Sequence, residues 1–142
     1  MRYGLWAGKS ELKINLDNKS EFELFHSFTF PNVYTYGDGD SFKREKIREA
    51  ASRGFPNIGK EYKWWAFRII VTSDDSKIKF DIDNVPKLII DSFSGSQIER
   101  DDTKYKNLSL YPDDTVESVR ILEVIGNIGT EKKTIIEIFG KL

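Results

Sequence analysis

Apolar and polar residues alternate from the start of the chain: Leu12, Ile14 and Leu16, then, after DNKSE, Phe22, Leu24, His26, Phe28 and Phe30. A period of two marks half-buried strands, so residues 12–30 predict a two-stranded hairpin. His26 falls on the apolar side of its strand, which predicts a hydrogen-bonded core histidine; the chain holds no second His to build a ligand cluster. After Pro31, NVYTYGDGD predicts a connecting loop, because it lacks the strand-before, helix-with-Lys-after spacing of a phosphate loop. Asp40 or Ser41 can cap a helix through FKREKIREAASR, ended by Gly54 ahead of Pro56, with a basic exposed side. The segment YKWWAFRIIVTS, rich in aromatic and β-branched residues, predicts a buried strand. Trp64 and Trp65 are rings that could stack on bases, but neighbouring strand residues point to opposite sides, so one of them belongs to the core. IKFDI predicts a second extended run.

At Asp83 the period changes. Val85, Leu88, Ile89 and Phe93 recur at helical spacing, and Asn84, Lys87, Asp91 and Ser94 line the other side. Pro86 is tolerated only in the first turn, which fixes the helix start near Asp83, and Gly95 is placed to end it. Downstream, SVRILEVI and TIIEIF predict strands joined by GNIGTEKK as a second hairpin. The pattern is that of an α+β fold.

Composition narrows the picture. With 142 residues the chain fits one domain, large enough for a real core. It has no cysteine, so disulfides and thiolate metal sites are excluded, and any metal must be held by oxygen or by His26. No apolar run reaches the roughly eighteen residues that cross a bilayer, and the N-terminus lacks a signal-peptide block; a soluble, cytoplasmic protein without a membrane partner is expected. The net charge is −1, so overall charge gives no support for nucleic-acid binding. Its distribution differs: residues 41–68 hold eight basic side chains against three acidic ones, and carboxylates thicken between residues 81 and 114. Segregated charge suits a phosphodiester-cutting metal site and an ordinary solvated surface alike.

The candidate chemistry lies in KFDIDNVPKLIIDSFSG. Asp81 and Asp83, two apart on an extended segment, are expected to project together. Asp83 has a plain alternative as a helix N-cap. Asp81 has none, and a second carboxylate costs repulsion that a bound Mg²⁺ or Mn²⁺ would remove. An EF-hand is excluded, since its sixth and twelfth positions would be Pro86 and Ser92. Lys87 stands four residues after Asp83 and four before Asp91, which reads either as surface ion pairs or as an ammonium aimed at a metal pocket.

Asp81-Ile82-Asp83-Asn84, then Lys87 on the following helix, Asp91 before a Gly, and a later Asp-Asp ahead of strands, resembles the RusA-type Holliday junction resolvases over roughly residues 65–139. The resemblance implies a small mixed sheet with two principal helices, the N-terminal hairpin being extra. It also implies a homodimer that cuts branched DNA with Mg²⁺, using aspartates as metal ligands and a lysine near the scissile phosphate. Carried over, Asp81, Asp83 and a third aspartate bind metal, Lys87 assists catalysis, and Asn84 matches the motif's amide. The third carboxylate is Asp102 by distance from the motif, or Asp114 by its place at a strand entrance; Asp114 is favoured, with SQIERDDTKYKNLSLY as an insertion. Lys43, Arg44, Lys46 and Arg48 on the basic helix are expected to track the DNA backbone. Where the family often has a basic residue before the motif this chain has Phe80, with Lys79 one step back.

Overall fold

The computed structural model describes residues 14–74 and 80–142. In chain order its elements are β1 (Phe22–Phe30), α1 (Asp40–Ser52), β2 (Trp65–Ser73), a 3-10 turn (Ile82–Asn84), α2 (Pro86–Ser92), α3 (Gly95–Asp101), a second 3-10 turn (Lys106–Leu108), β3 (Val119–Ile128) and β4 (Lys133–Lys141). The four strands form one mixed sheet in the order β1-β4-β2-β3, which makes the fold α+β. β4 runs antiparallel to both β1 and β2, whereas β3 runs parallel to β2. A parallel pair needs a crossover, and α2 and α3 supply it.

The helices cover one side of the sheet. Phe67, Ile69 and Val71 of β2 and Ile136 and Ile138 of β4 meet Ile47 and Ala51 of α1 and Leu88 and Ile89 of α2, all at most 1% exposed. The opposite side carries a smaller apolar patch of Leu16, Phe22, Ala66 and Phe139, with Trp64 and Ile121 against it. Trp65 is buried on the helix side, so the two tryptophans do part as strand alternation requires.

Neither expected hairpin forms. Residues 14–21 contain turns and no strand, so the described part of the N-terminal hairpin reduces to β1 alone; Leu12 lies outside the described residues. The 12–16 alternation is satisfied differently, by Leu16 folding under Phe22. Within β1 the register shifts between Leu24 and His26, a bulge that sends Phe22 to the small patch and Phe28 and Phe30 to the main core. At the other end β3 and β4 are strands as read, but β2 lies between them. Gly129 N–H donates to the Ser73 carbonyl at 2.8 Å as the connection passes the end of β2. β2 is apolar on both sides and takes the interior position, which hydrophobic alternation alone does not reveal. Gly95 begins α3 instead of merely ending α2, and the stretch read as an insertion is partly helical. No helix among the described residues is long and apolar enough to cross a membrane.

Candidate functional site

Asp81 has an extended backbone, but the chain then tightens into the 3-10 turn, where Asn84 N–H donates to the Asp81 carbonyl at 3.1 Å. The two aspartates therefore do not share one face of a strand; Asp83 sits inside the turn. Nor does Asp83 cap α2, whose N-cap is Val85 with no side-chain hydrogen bond and whose first turn begins at Pro86. The Asn84 carbonyl accepts the Tyr36 N–H at 2.8 Å, which ties the turn to the loop after β1. Asp81, Asp83 and Asn84 are all exposed. No described residue forms an ion pair or side-chain hydrogen bond with the Asp81 or Asp83 carboxylate. Two free carboxylates at one tight turn are open to a cation.

Lys87, one turn further on, pairs with two later carboxylates. Its ammonium lies 3.1 Å from Asp91 Oδ2 and 3.3 Å from Asp114 Oδ2. The second contact joins residues 27 apart in sequence. It exists because residues 109–114 return alongside α2 and α3. Leu110 N–H donates to the Phe93 carbonyl (3.0 Å), Gly95 N–H to the Tyr111 carbonyl (2.7 Å) and Ser96 N–H to the Pro112 carbonyl (3.0 Å). Gly95 permits the approach: a Cβ there would stand 2.9 Å from Ser109 Oγ. The same segment roofs part of the polar side of α2, so Asp91 and Ser94, expected at the surface, are buried.

Asp91 and Asp114 both contact the Lys87 ammonium and influence each other's titration. Burial, reinforced by the neighbouring Asp114, pushes the Asp91 carboxyl up against the pull of Lys87. Asp114, despite its own burial, is held below the usual carboxylate range by Asp91 and Lys87. Beneath them Tyr111 is buried, its hydroxyl donating to the Ile90 carbonyl at 2.6 Å; burial and the two carboxylates raise it well above its ordinary value. Asp91 is thus the buried member of the cluster, which the sequence had placed on the polar side of the helix and given no site role. Its signal was its place three residues after Leu88, at the margin of the buried stripe.

The other expected residues separate. Asp102 caps the exposed end of α3 with φ 50° and pairs with Lys106 at 3.6 Å. Arg44 and Arg48 are not on a DNA-facing surface. Arg44 donates twice to Asp101 (2.7 and 2.9 Å), and the fully buried Arg48 donates to the Ser92 carbonyl (2.8 Å) and to Asp101 (3.0 Å). Both lie on the inner stripe with Ile47 and Ala51, so the basic side of α1 is used to dock α2 and α3. Lys43 donates to the Thr35 carbonyl at 2.6 Å. Lys46 is exposed, its ammonium 5.4 Å from the Phe42 ring centre. Lys79 lies outside the described residues. Trp64 is covered by the Arg120 guanidinium at 5.6 Å. His26, only partly buried, bonds the Ala51 carbonyl at 2.8 Å, and burial lowers its pKa; it is hydrogen-bonded as expected but sits at the margin of the core.

Chemically, the donor set is all oxygen, which fits a hard divalent cation. Asp81 and Asp83 offer unpaired carboxylates, and Asp114 a third that now accepts from Lys87. Among the described residues, no three acidic or His side chains are already grouped closely enough to hold a metal. Compared with known proteins, the chain matches no family model and no curated protein.

Proposed function

We propose that the chain is a Mg²⁺-dependent endodeoxyribonuclease that cuts branched DNA such as Holliday junctions, with Mn²⁺ able to substitute. The observation that carries this reading is the contact between Lys87 and Asp114. It brings the helix that follows the Asp81-Ile82-Asp83-Asn84 turn to the late Asp113-Asp114 pair, which supports a site shared by these two segments. In this reading Asp81, Asp83 and Asp114 hold the ion, which supplies Lewis-acid activation of water and of the phosphate. Lys87 offers positive charge to the scissile phosphate or the departing oxygen. Exposed Lys46 and Asn84 contact the nucleic acid, and a two-fold homodimer provides the paired incisions of a junction.

A second reading is a nucleic-acid-binding protein without catalysis. It is favoured by the absence of a preassembled three-carboxylate group among the described residues. Incubation with a labelled four-way junction, a flap and a linear duplex, in Mg²⁺, Mn²⁺ or EDTA, separates the two. The nuclease nicks the junction symmetrically in either metal and loses cutting in EDTA and in Asp81→Asn. Binding that survives both, with no cutting of any substrate, rejects the enzyme.

A further inference from the structure

β3 is an outer strand of the sheet, and among the described residues no strand pairs with its far edge. Alternate residues of a strand bonded on one side aim their N–H and C=O groups away from the sheet, a template for another strand. We infer that β3 pairs antiparallel with β3 of a second copy, joining the two sheets into one across a two-fold axis. The pairing gives the homodimer of the reading above its interface; it rests on that homodimer and on none of the proposed chemistry.

Edge strands are commonly protected by proline, lysine, a bulge or a covering segment. The other outer strand, β1, has a bulge between Leu24 and His26, and its Phe25 packs against Phe55 and Tyr62. β3 has ten residues, VRILEVIGNI, with neither proline nor lysine, and its one irregularity lies at the start, beside Val119. Its carboxylate, Glu123, is held by Arg68 of β2 at 2.5 Å. Its apolar side chains are open to solvent instead: Leu122 is 46% exposed, Ile125 40% and Ile128 84%.

The second copy is argued by fit. Two copies of one strand related by a two-fold axis perpendicular to the sheet run antiparallel, and opposed residues lie on the same side. Centring the axis on Val124 pairs the whole strand, sets Leu122 opposite Gly126, and places Glu123 opposite Ile125, away from its own counterpart. Leu122 and Gly126 align with Phe67 and Val71 of β2, so both lie on the helix-covered side. There a hollow of 260 Å³ is walled in part by Val71, Phe80, Ile82, Gly126 and Ile128. Gly126 leaves the room, since a Cβ there would come within 3.0 Å of Ile82 Cδ1. Leu122 of the second copy, reaching across Gly126, fills that hollow, so each strand brings both a side chain and the recess that receives one. A self-complementary pair of this kind closes as a dimer and grows no further.

Sedimentation equilibrium of the full chain, without metal or DNA, should give the mass of two chains. Leu122→Lys should fold like the unsubstituted protein by circular dichroism and weaken dimerisation roughly tenfold or more, because it puts a charge into an apolar recess. Leu24→Lys, at a similarly exposed position on β1, should leave the dimer unchanged. The chain has no cysteine, so Val124→Cys introduces a single thiol whose counterpart lies across the axis. It should crosslink to a dimer with a short bismaleimide, and Leu24→Cys should not. A monomer, a dimer that survives Leu122→Lys, or one that Leu24→Lys dissociates overturns the pairing. Dissociation by Leu122→Lys without crosslinking at position 124 overturns this register, and if Leu122→Lys fails to fold, the crosslink decides alone. None of these readouts involves cutting, so a monomeric chain that nicks the junction would keep the nuclease and lose the interface.

Discussion

Arg48 is a charged side chain with no exposed surface, held by Asp101 and by the Ser92 carbonyl that ends α2. Removing Arg48 leaves the Ser92 carbonyl without this donor and takes one of two arginines from Asp101, which keeps Arg44; a buried group left unsatisfied costs about 1–3 kcal/mol. Arg48→Met should therefore lower unfolding stability by about 2 kcal/mol in urea titrations. A DNA-contacting arginine would instead leave stability unchanged and weaken binding. Asp101 adds a pH dependence. Burial raises its pKa, but the bonds from Arg44 and Arg48 outweigh burial and hold it below the ordinary value of 3.8. A depressed acid stabilises the fold above its unfolded pKa and loses that contribution as pH falls through the folded one. Acid unfolding monitored by circular dichroism should thus be less steep below about pH 4 in Asp101→Asn. The roles of Arg44 and Arg48 were legible: with Ile47 and Ala51 they recur at helical spacing, which places them on the inner stripe. Counting charge along the sequence hid this, because a sum over residues has no direction. Asp101, their partner, stands 53 residues from Arg48, and no local pattern announces a contact at that separation.

Among the elements, the strands β1, β2, β3 and β4 and the helix α1 are readable from period and punctuation, since each buries one stripe or one face. Their partners are not, because alternation fixes which side of a strand is buried and not which strand lies beside it. β3 and β4 therefore looked like a hairpin although β2 separates them. The bulge in β1 was equally invisible: Phe22 to Phe30 alternate perfectly in sequence, yet a one-residue shift divides them between the two sides of the sheet. The junction of α2 and α3 makes a sharper test. Gly95→Ala would place a Cβ 2.9 Å from Ser109 Oγ and 3.4 Å from the Tyr111 carbonyl. Forced into so tight a contact, the change should cost about 1–3 kcal/mol. Ser109→Ala in the same chain should restore part of the loss, measured by thermal unfolding. Since the segment that Gly95 admits also carries Asp114, metal-dependent cutting should fall with it.

For the whole molecule, the net charge of −1 gives no general attraction to a phosphate backbone, and the inward use of Arg44 and Arg48 removes two of the cations expected to meet it. Each phosphate neutralised contributes about 0.9 to the slope of log affinity against log salt. Lys46→Gln should lower that slope by about 1 if the exposed residue meets DNA; an unchanged slope removes it from the path. The Asp81 and Asp83 pair drew attention because like charges two residues apart call for an explanation, but the extended run read there is a 3-10 turn, which alternation does not reveal. The contact of Lys87 with Asp114 was half legible, from the position of Asp114 at a strand entrance. The burial of Asp91 was not, since it depends on residues 109–114 returning over α2. The proposed function rests on one claim, that Asp81, Asp83 and Asp114 close on a single divalent ion. The direct measurement is paramagnetic broadening of backbone amide resonances in the ¹⁵N-labelled protein on addition of substoichiometric Mn²⁺. The claim predicts that residues 81–84 and 113–115 broaden together, before the exposed acidic end of α3 at Asp102; broadening of only one of the two segments, or of neither, would contradict it.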